Sequence, residues 1–588
     1  MNKETFRIVV SEGRNKPKID EYQVESDNIF KLVAETIAEY MEKYTNKSLY
    51  FSVFNKNKHE ENFTAVNRDD KTFVTYSSSI RWAFGNEYID WDMEPKYLTC
   101  LDEEKNEYKY YVLRFDKETR RVNAQYGRIG MNAGEFRYAD GCDSKDGMYA
   151  YPPQMFWIKY YEKLAKGYID NSDLKNFDDA QIRVKEMGNY AQIKDVIVNR
   201  IIMSLISQQR DYVQKAYDLD APFSEQAVNK AKSLLLEMAN NVADKPEFIR
   251  LYKELVMTLP RKIYNVAMYI NRVDFSDSES DNYVEKIISA ENDLLDNFCS
   301  LYIDAKTEEP DTSLTILEAR GLTIRPAAAK ERLKVYDKMG EDAYKVSEVL
   351  CVENKKTRDE LQKYVSDKGL KKKDCHLLWH GSRNENWWSI ISNGLSLRPN
   401  AAITGKMFGN GLYFATRAKK SLGYTDIRGS YWAGGNQNKA YLALYNVVMG
   451  KSYEPTHALG SDFYEDDLMY GCHSVWAYPK NTGLVNEECV VYNEAQADIE
   501  YPVEVDYDLK PFSFSIRNVK KTKFENIVSC DTSVKADCEF SGRKAQFEYE
   551  VASDTLAVYI FNEQGDRAPF RLSKSEQAYL KCLLLSRV

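Results

Sequence analysis

Histidine is scarce in this chain, five residues in 588, and His380 stands where a ligand could be met. It follows the apolar run Leu377, Leu378 and Trp379, which reads as a short buried strand, and it precedes Gly381 and Ser382. A buried strand ending in His-Gly-Ser brings an imidazole, a bare backbone and a hydroxyl to one tip, where polar groups can meet a bound molecule. Downstream, Gly405, Gly409 and Gly411 punctuate a loop that runs into Leu412, Tyr413, Phe414 and Ala415, a second short strand. Glycines there let the backbone approach whatever is bound. Thr416 then makes a fair N-cap for a helix carrying Lys420, Ser421 and Tyr424.

Elements must hold these groups. Trp387 to Leu395 places apolar residues at helical spacing and stops at Asn393-Gly394, a C-terminal helix signal. A strand, a ligand-facing tip and a covering helix therefore follow in order. Tyr441 to Val448 and Cys489 to Tyr492 read as further strands, the second preceded by Glu487 and Glu488.

The segments WHGSR at 379–383, TGKMFGNGLYFA at 404–415, KSLGY at 420–424 and NEECVVY at 486–492, with Ala495-Gln496 after it, occur in that order. Together they resemble the catalytic domain of the poly(ADP-ribose) polymerases, the diphtheria-toxin-like branch of the ADP-ribosyltransferases. The resemblance implies NAD+ as substrate, no metal, and a triad of His380, Tyr413 and Glu488. It implies that Glu488 faces the nicotinamide ribose and stabilises an oxocarbenium-like state, as carboxylates do in glycoside hydrolysis. It further implies that Gly381 and Ser382 bind the nicotinamide amide, that Tyr413 and Tyr424 flank the ring, and that His380 bonds the adenosine ribose. Lys420 and Ser421 match positions beside the ribose and amide, and Asn386 a polar position near the adenosine. Two features depart from the family on the acceptor side. Lys406 stands where an aromatic residue is frequent, and the stretch from His473-Ser474-Val475 to Glu488 is short; in addition, Glu487 takes the place of an asparagine.

At 588 residues the chain is too long for one core. Apolar residues make up 43%, charged residues 29%, and the net charge is −9. This excludes a globally basic nucleic-acid binder, so any DNA contact must come from a local patch. No run approaches the roughly 18 apolar residues of a membrane span, and the start MNKETFRIVV is too polar for a secretory signal. Ten cysteines without a Cys-x-x-Cys support neither a disulfide framework nor a zinc finger. The expectation is an intracellular protein, nuclear if eukaryotic and cytoplasmic if bacterial, with no membrane partner.

The expected fold class is multidomain α+β. Residues 1–92 form an unassigned α/β module, with strands at Phe6 to Val10, Leu49 to Phe54 and Thr72 to Tyr76 and a helix from Ile29 to Tyr44. Residues 93–186 carry strands Tyr108 to Phe115 and Val122 to Gly130, a basic turn at Lys117, Arg120 and Arg121, and a helix from Met155 to Leu164. Tyr126-Gly127-Arg128 resembles the WGR domain, with Tyr for Trp, and implies contact with broken DNA ends near Arg128. Residues 190–308 are helical: Phe248, Leu251, Tyr252, Leu255, Val256 and Leu259 form one apolar stripe ending before Pro260. That stripe, and Ala290 to Leu301, resemble the regulatory helical domain that restrains DNA-dependent polymerases, which implies autoinhibition. Residues 312–508 form the antiparallel, β-rich catalytic domain. Residues 509–588 are an unassigned β-rich segment, alternating from Phe512 to Ile516 and through Ala557 to Phe561, with a closing helix from Ser575.

The resulting expectation is a DNA-stimulated transferase of ADP-ribose from NAD+ to proteins, itself included, acting in the DNA damage response and forming poly(ADP-ribose). Mono-ADP-ribosylation or NAD+ hydrolysis on the same site, and a DNA-end-binding scaffold with an inactive transferase domain, are the alternatives.

Overall fold

The computed structural model describes residues 94–116, 121–130, 166–174, 190–217, 224–270, 280–302, 313–397, 407–460 and 463–588, together with five strands between 3 and 76 and short pieces at 150–151, 160 and 163–164. The chain divides into two compact units. One comprises Met1–Arg183 and Gln214–Val284, the other Val184–Val213 and Glu285–Val588.

The first unit opens with an antiparallel sheet of β1 (Lys3–Glu12), β2 (Lys18–Glu25), β3 (Leu49–Asn55), β4 (Glu60–Val66) and β5 (Val74–Tyr76), in the order β2-β1-β3-β4-β5. The strands expected at 6–10 and 49–54 fall within it, as do residues 74–76 of the one expected at 72–76, whose first two residues, like the helix expected over 29–44, lie outside the described residues. A second sheet joins β6 (Lys96–Asp102), β7 (Glu107–Asp116), β8 (Arg121–Arg128), β9 (Ala150–Tyr151) and β10 (Ile169–Asp170), in the order β10-β6-β7-β8-β9. Lys117 and Arg120 lie outside the described residues, as does most of 155–164.

Tyr126 stacks on Tyr111, its ring 5.6 Å away and nearly parallel, so Tyr126 serves the packing of this sheet. The buried Tyr108 hydroxyl donates to Val256 O at 2.8 Å and accepts from Arg261 N at 2.9 Å. It thereby ties β7 to α3 (Lys245–Thr258), which runs beside α2 (Glu225–Asn240). The expected stripe of α3 is buried throughout. Its start is set by Asp244, whose side chain accepts from Glu247 N, and Pro260 follows its end. Gly130 has φ +74°, and a Cβ there would lie 2.4 Å from Arg261 O, so only glycine lets this turn meet the 261–262 backbone. Arg128 is committed nearby: Nη1 donates to Asn106 O at 2.6 Å, and Nη2 reaches Asn106 Oδ1 at 3.1 Å, Ile263 O at 3.3 Å and Tyr264 O at 2.9 Å.

The helical segment 190–308 is shared between the units. Besides α2 and α3, the first unit holds α4 (Val266–Ile270), while most of α1 (Val196–Ala216) and α5 (Ser280–Tyr302) belongs to the second. There, β11 (Leu322–Pro326), β12 (Val346–Asn354), β19 (Ala497–Asp506), β15 (Lys439–Val448) and β13 (Cys375–Gly381) form an antiparallel sheet in the order β11-β12-β19-β15-β13. Next to it, β14 (Leu412–Phe414), β18 (Glu488–Val491), β17 (Ser474–Ala477) and β16 (Ser452–Tyr453) form a smaller sheet, in which only β16 and β17 run parallel. This is the mixed helix and antiparallel-sheet content of an α+β catalytic fold. One sheet face packs on Ile201, Ile202, Leu205 and Ile206 of α1 and on Trp387 and Trp388 of α8 (Trp387–Asn393). The other packs on α6 (Ala329–Met339).

Residues 509–588 complete that second core. An antiparallel meander from β20 (Phe524–Ser529) through β21 (Ser533–Phe540), β22 (Arg543–Glu550) and β23 (Thr555–Phe561) to β24 (Arg567–Pro569) shares one apolar cluster with α6 and with α10 (Lys574–Leu585). Tyr336 meets Tyr579 edge to face at 5.3 Å. The expected strand at 512–516 is corrected. Phe512 and Phe514 do point inward, stacking at 5.3 Å, but no neighbouring strand pairs with them, and Ile516–Val519 is a short helix.

A buried carboxylate clamps α1 to the sheet. Glu504 on β19 accepts both Arg200 amino groups, at 2.7 and 3.1 Å, with Ser347 Oγ at 2.8 Å and Tyr441 Oη at 3.1 Å. Burial pushes its carboxyl up, but the bonds from Arg200 and Ser347 more than offset this and hold it below the usual glutamate value. A depressed carboxylate gives stability that is complete above the unfolded pKa and is lost as pH falls through the folded one. Glu504→Gln is therefore expected to cost about 1–3 kcal/mol at neutral pH, moderated because the Arg200 side chain stays 44% exposed. Denaturant unfolding at pH 7 and at pH 4 checks this, the gap between variant and parent narrowing in acid.

Candidate active site

Where β13 ends, the two sheets of the second unit touch. Trp379 N donates to Ala415 O and Ala415 N to Trp379 O, each at 2.8 Å, which sets His380 beside Tyr413. The His380 ring sits among Trp387, Phe414 and Tyr445, with centroids 5.8–6.5 Å away. Burial lowers its pKa, opposed by the hydrogen bond between Nδ1 and Tyr413 O at 3.0 Å. The imidazole is thus neutral near pH 7, with Nδ1–H donating and Nε2 left as an acceptor.

Glu488 opens β18 and is buried. One carboxylate oxygen pairs with the Lys420 ammonium, which comes from α9 (Ala418–Leu422). The other, Oε2, is buried with no hydrogen-bond partner. A buried acceptor left open in this way suits a hydroxyl brought by a ligand. Glu487 is held apart: its carboxylate accepts Trp476 Nε1 at 3.3 Å. The helix α9 has Arg417 at its N-cap, with no side-chain cap bond. The expectation of Thr416 is corrected, because the Ala415 bridge carries the extended chain one residue further.

Tyr413 is a structural pivot: its hydroxyl donates to Gly409 O at 2.9 Å and accepts Phe408 N at 3.1 Å, fixing the glycine loop. Burial raises its pKa, with the nearby Glu488 carboxylate adding to the rise. Tyr424, 42% exposed, stacks on Trp432 at 6.0 Å and 15°. Burial and the Glu488 charge push its hydroxyl up to about 12. Neither phenol exchanges protons near neutrality.

A cleft of about 300 Å3 is lined by all nine residues expected at the nucleotide site: His380, Gly381, Ser382, Asn386, Tyr413, Lys420, Ser421, Tyr424 and Glu488. Arg128 belongs to the other unit. Gly405 and Lys406 lie outside the described residues. The sequence reading missed Asp293, Asp296 and Asn297 of α5, which line the same cleft. Asn297 had a signal, an amide lodged among Leu294, Leu295 and Phe298 on a helix face that must be buried. Asn386 was expected by the adenosine; its Nδ2 donates to Ser382 Oγ at 3.0 Å. Among the described residues no group of His, Cys, Asp or Glu could hold a metal ion, and no helix is long and apolar enough to cross a membrane.

Residues 330–507 match the family model of the poly(ADP-ribose) polymerase catalytic domain. A poly(ADP-ribose) polymerase-like protein, 100L of Invertebrate iridescent virus 6, is 31% identical over 164 residues, covering 27% of this chain and 84% of the viral protein. Human poly(ADP-ribose) polymerase 2 is 31% identical over 171 residues, 23% of this chain and 28% of the human one. Poly(ADP-ribose) polymerase 1 of Danio rerio is 23% identical over 465 residues, 68% of this chain and 43% of the fish one. The chain thus spans most of the viral relative but under half of the two animal ones. It belongs to the poly(ADP-ribose) polymerase family, and its catalytic domain is that of an NAD+ ADP-ribosyltransferase.

The glycine at the tip is tested most simply. A Cβ on Gly381 would lie 2.0 Å from Ser421 O, so Gly381→Ala must part β13 from α9 and move Ser382 and Lys420. A displacement near 1 Å in such a site costs on the order of 10²-fold in rate. NAD+ consumption by a variant that retains the parent's circular dichroism is expected to fall by that factor.

Proposed function

We propose that this protein transfers ADP-ribose from NAD+ to proteins, itself included, that it builds poly(ADP-ribose), and that DNA ends stimulate it. The observation that carries the transferase reading is the open Oε2 of Glu488 in a cleft shared with Lys420, His380 and two tyrosine rings. In this reading Gly381 and Ser382 hold the nicotinamide amide, Tyr413 and Tyr424 flank the cationic ring, and the Nε2 acceptor of His380 takes an adenosine ribose hydroxyl. Glu488 accepts the 2′-hydroxyl of the nicotinamide ribose. The bond from ribose C1′ to nicotinamide nitrogen breaks, its electron pair leaving with nicotinamide. An acceptor oxygen then bonds to C1′, and its proton passes to Glu488 or water. Glu488→Gln keeps the shape and loses the charge, so product formation from labelled NAD+ is expected to drop 10²- to 10³-fold with binding largely kept. Equal output would remove Glu488 from the mechanism.

A mono-transferring or hydrolytic variant of this reading draws on Glu487, which replaces an asparagine and is tied to Trp476. Product length on a gel separates the two.

DNA dependence is supported by the Tyr-Gly-Arg segment and by an alignment with the fish polymerase that covers 68% of this chain, well beyond residues 330–507. The brake is supported by α5, whose Asp293 and Asp296 line the cleft where an anionic dinucleotide must enter. Releasing a closed state from about 1:99 to 99:1 needs roughly 5.5 kcal/mol of differential DNA binding. Deleting residues 190–308 would also strip Ile201, Ile202, Leu205 and Ile206 from the catalytic core. The intact chain, assayed with and without nicked DNA, is the better test. Arg128 serves here through the 263–264 backbone that it grips. Arg128→Lys keeps the charge but not the fork, so DNA stimulation is expected to fall about tenfold, within the usual range of such couplings, with the salt slope of DNA binding unchanged. A slope reduced by roughly one would mark a direct phosphate contact instead.

A further inference from the structure

Between α9 and β15 the chain makes a loop that folds back beside the cleft. Arg428 N donates to Gln437 O at 2.8 Å, Gln437 N to Asp426 O at 2.9 Å, and Gly435 N to Ser430 Oγ at 2.7 Å. Residues 426–437 are thus closed on themselves. The tip of the loop is then tied to the end of α9, because Trp432 N and Ala433 N both donate to Gly423 O, at 2.9 and 3.0 Å. A Cβ on Gly423 would lie 3.0 Å from Trp432 Cδ1, so glycine admits the indole this close. Arg383, just beyond the tip of β13, adds a second tie, its Nη2 donating to Ala433 O at 3.3 Å.

These bonds lay the indole on a wall of the cleft. The Tyr424 ring, which lines the cleft with Glu488, stacks on Trp432 at 6.0 Å and 15°. Tyr431 meets the same indole edge to face at 4.7 Å and 90°. Tyr431 and Trp432 are 81% and 64% exposed, so they pack as a row of rings with Tyr424 and not as part of the core. The two tyrosines of the cleft are held in different ways. The Tyr413 hydroxyl bonds to Phe408 N and Gly409 O. For Tyr424, no hydrogen bond among the described residues holds the hydroxyl, and the one aromatic neighbour of its ring there is Trp432. With the indole removed, that side chain gains rotamer freedom toward solvent.

We propose that Trp432 is a positioning residue of the substrate site: it stacks on one face of Tyr424 and holds that ring in place for the nicotinamide ring to lie against the other. This rests on the reading that Tyr424 flanks nicotinamide. A planar ring entering the cleft then meets a wall that is already ordered, and the entropy of ordering it is lost in folding and not on binding. The loop 426–437 is on this account a part of the nicotinamide end of the site, although none of its residues lines the cleft.

The test uses two probes bound at equilibrium to the intact protein: nicotinamide, and ADP-ribose, which lacks the nicotinamide ring. Nicotinamide affinity is expected to fall about fivefold in Trp432→Ala, within the scale of one aromatic pair. Trp432→Phe keeps a ring on Tyr424 and is expected to bind within about twofold of the parent. ADP-ribose is expected to bind Trp432→Ala as it binds the parent, since the stack serves the nicotinamide end alone. Tyr424→Ala is expected to lose at least as much nicotinamide affinity as Trp432→Ala, with no further loss when the two are combined. Equal losses for both probes would make the loop a general support of the cleft and overturn the proposal. Additive losses, or a phenylalanine variant as weak as the alanine one, would overturn it as well. Unchanged nicotinamide affinity in Trp432→Ala beside a loss in Tyr424→Ala would overturn the positioning role while leaving the Tyr424 contact standing. No loss in Tyr424→Ala would overturn both.

Discussion

Two backbone hydrogen bonds between Trp379 and Ala415, each 2.8 Å long, are the constraint on which the catalytic unit depends. They join a five-stranded sheet to a four-stranded one, and neither sheet alone makes a cleft. With the join in place, strand alternation does the rest. Trp379 and Ala415 face the core shared with α6, while Leu378 and Phe414 face the opposite core with Trp387 and Tyr445. His380 lies two residues beyond Leu378 and so falls into the same aromatic box, where desolvation keeps it neutral. Its Nδ1–H then has one carbonyl to find, that of Tyr413, and the ring's other nitrogen is left for a ligand. The smaller sheet brings Tyr413 on β14 and Glu488 on the adjacent β18.

The cleft is held by polar groups whose desolvation must be met from within. Lys420 meets one Glu488 oxygen and leaves the other open, and Asp426 accepts Asn384 N at 2.6 Å to fix the chain after Ser382. The buried amide chain from Gln209 through Asn297 to Asn386 satisfies donors and acceptors that would each cost roughly 1–3 kcal/mol if stranded. Such a network has one complete arrangement and several broken ones, so it specifies geometry beyond what apolar packing can do.

Much of this was legible in the sequence because the site is built from short segments whose local signals agree. Leu377 to Ser382, the glycine loop into Tyr413, and Glu488 before an apolar strand each declare their own element, and their order restricts the family. The α3 stripe was legible for the same reason, since its period and its end at Pro260 coincide. What was not legible depends on distant partners. Phe512 to Ile516 alternates as a strand would, but a strand needs a neighbour to bond, and periodicity says nothing about one. Asn297 read as one more helical position because its meaning lies in Asn386, 89 residues away. Arg128 read as a candidate phosphate contact, and its bonds to Ile263 and Tyr264 could not be anticipated from a hairpin alone.

The segment after residue 508 bears on how far the catalytic domain extends as a physical object. The match to the catalytic-domain family model ends at residue 507, yet the core does not. Tyr336 and Val335 of α6 cluster with Phe540, Phe547, Tyr579 and Leu580 from beyond that limit. Arg332 sits in the same region, pairing with Glu348 at 2.9 Å. Helix α6 covers the sheet face opposite α1, and Ala418 and Leu422 of α9, the helix that carries Lys420, belong to that cluster too. The meander and α10 therefore back the helix that backs Lys420. The family-model match marks where the catalytic domain is encoded; the unit that holds Glu488 and Lys420 together is longer, because burial of α6 on its outer side is supplied by residues beyond that match.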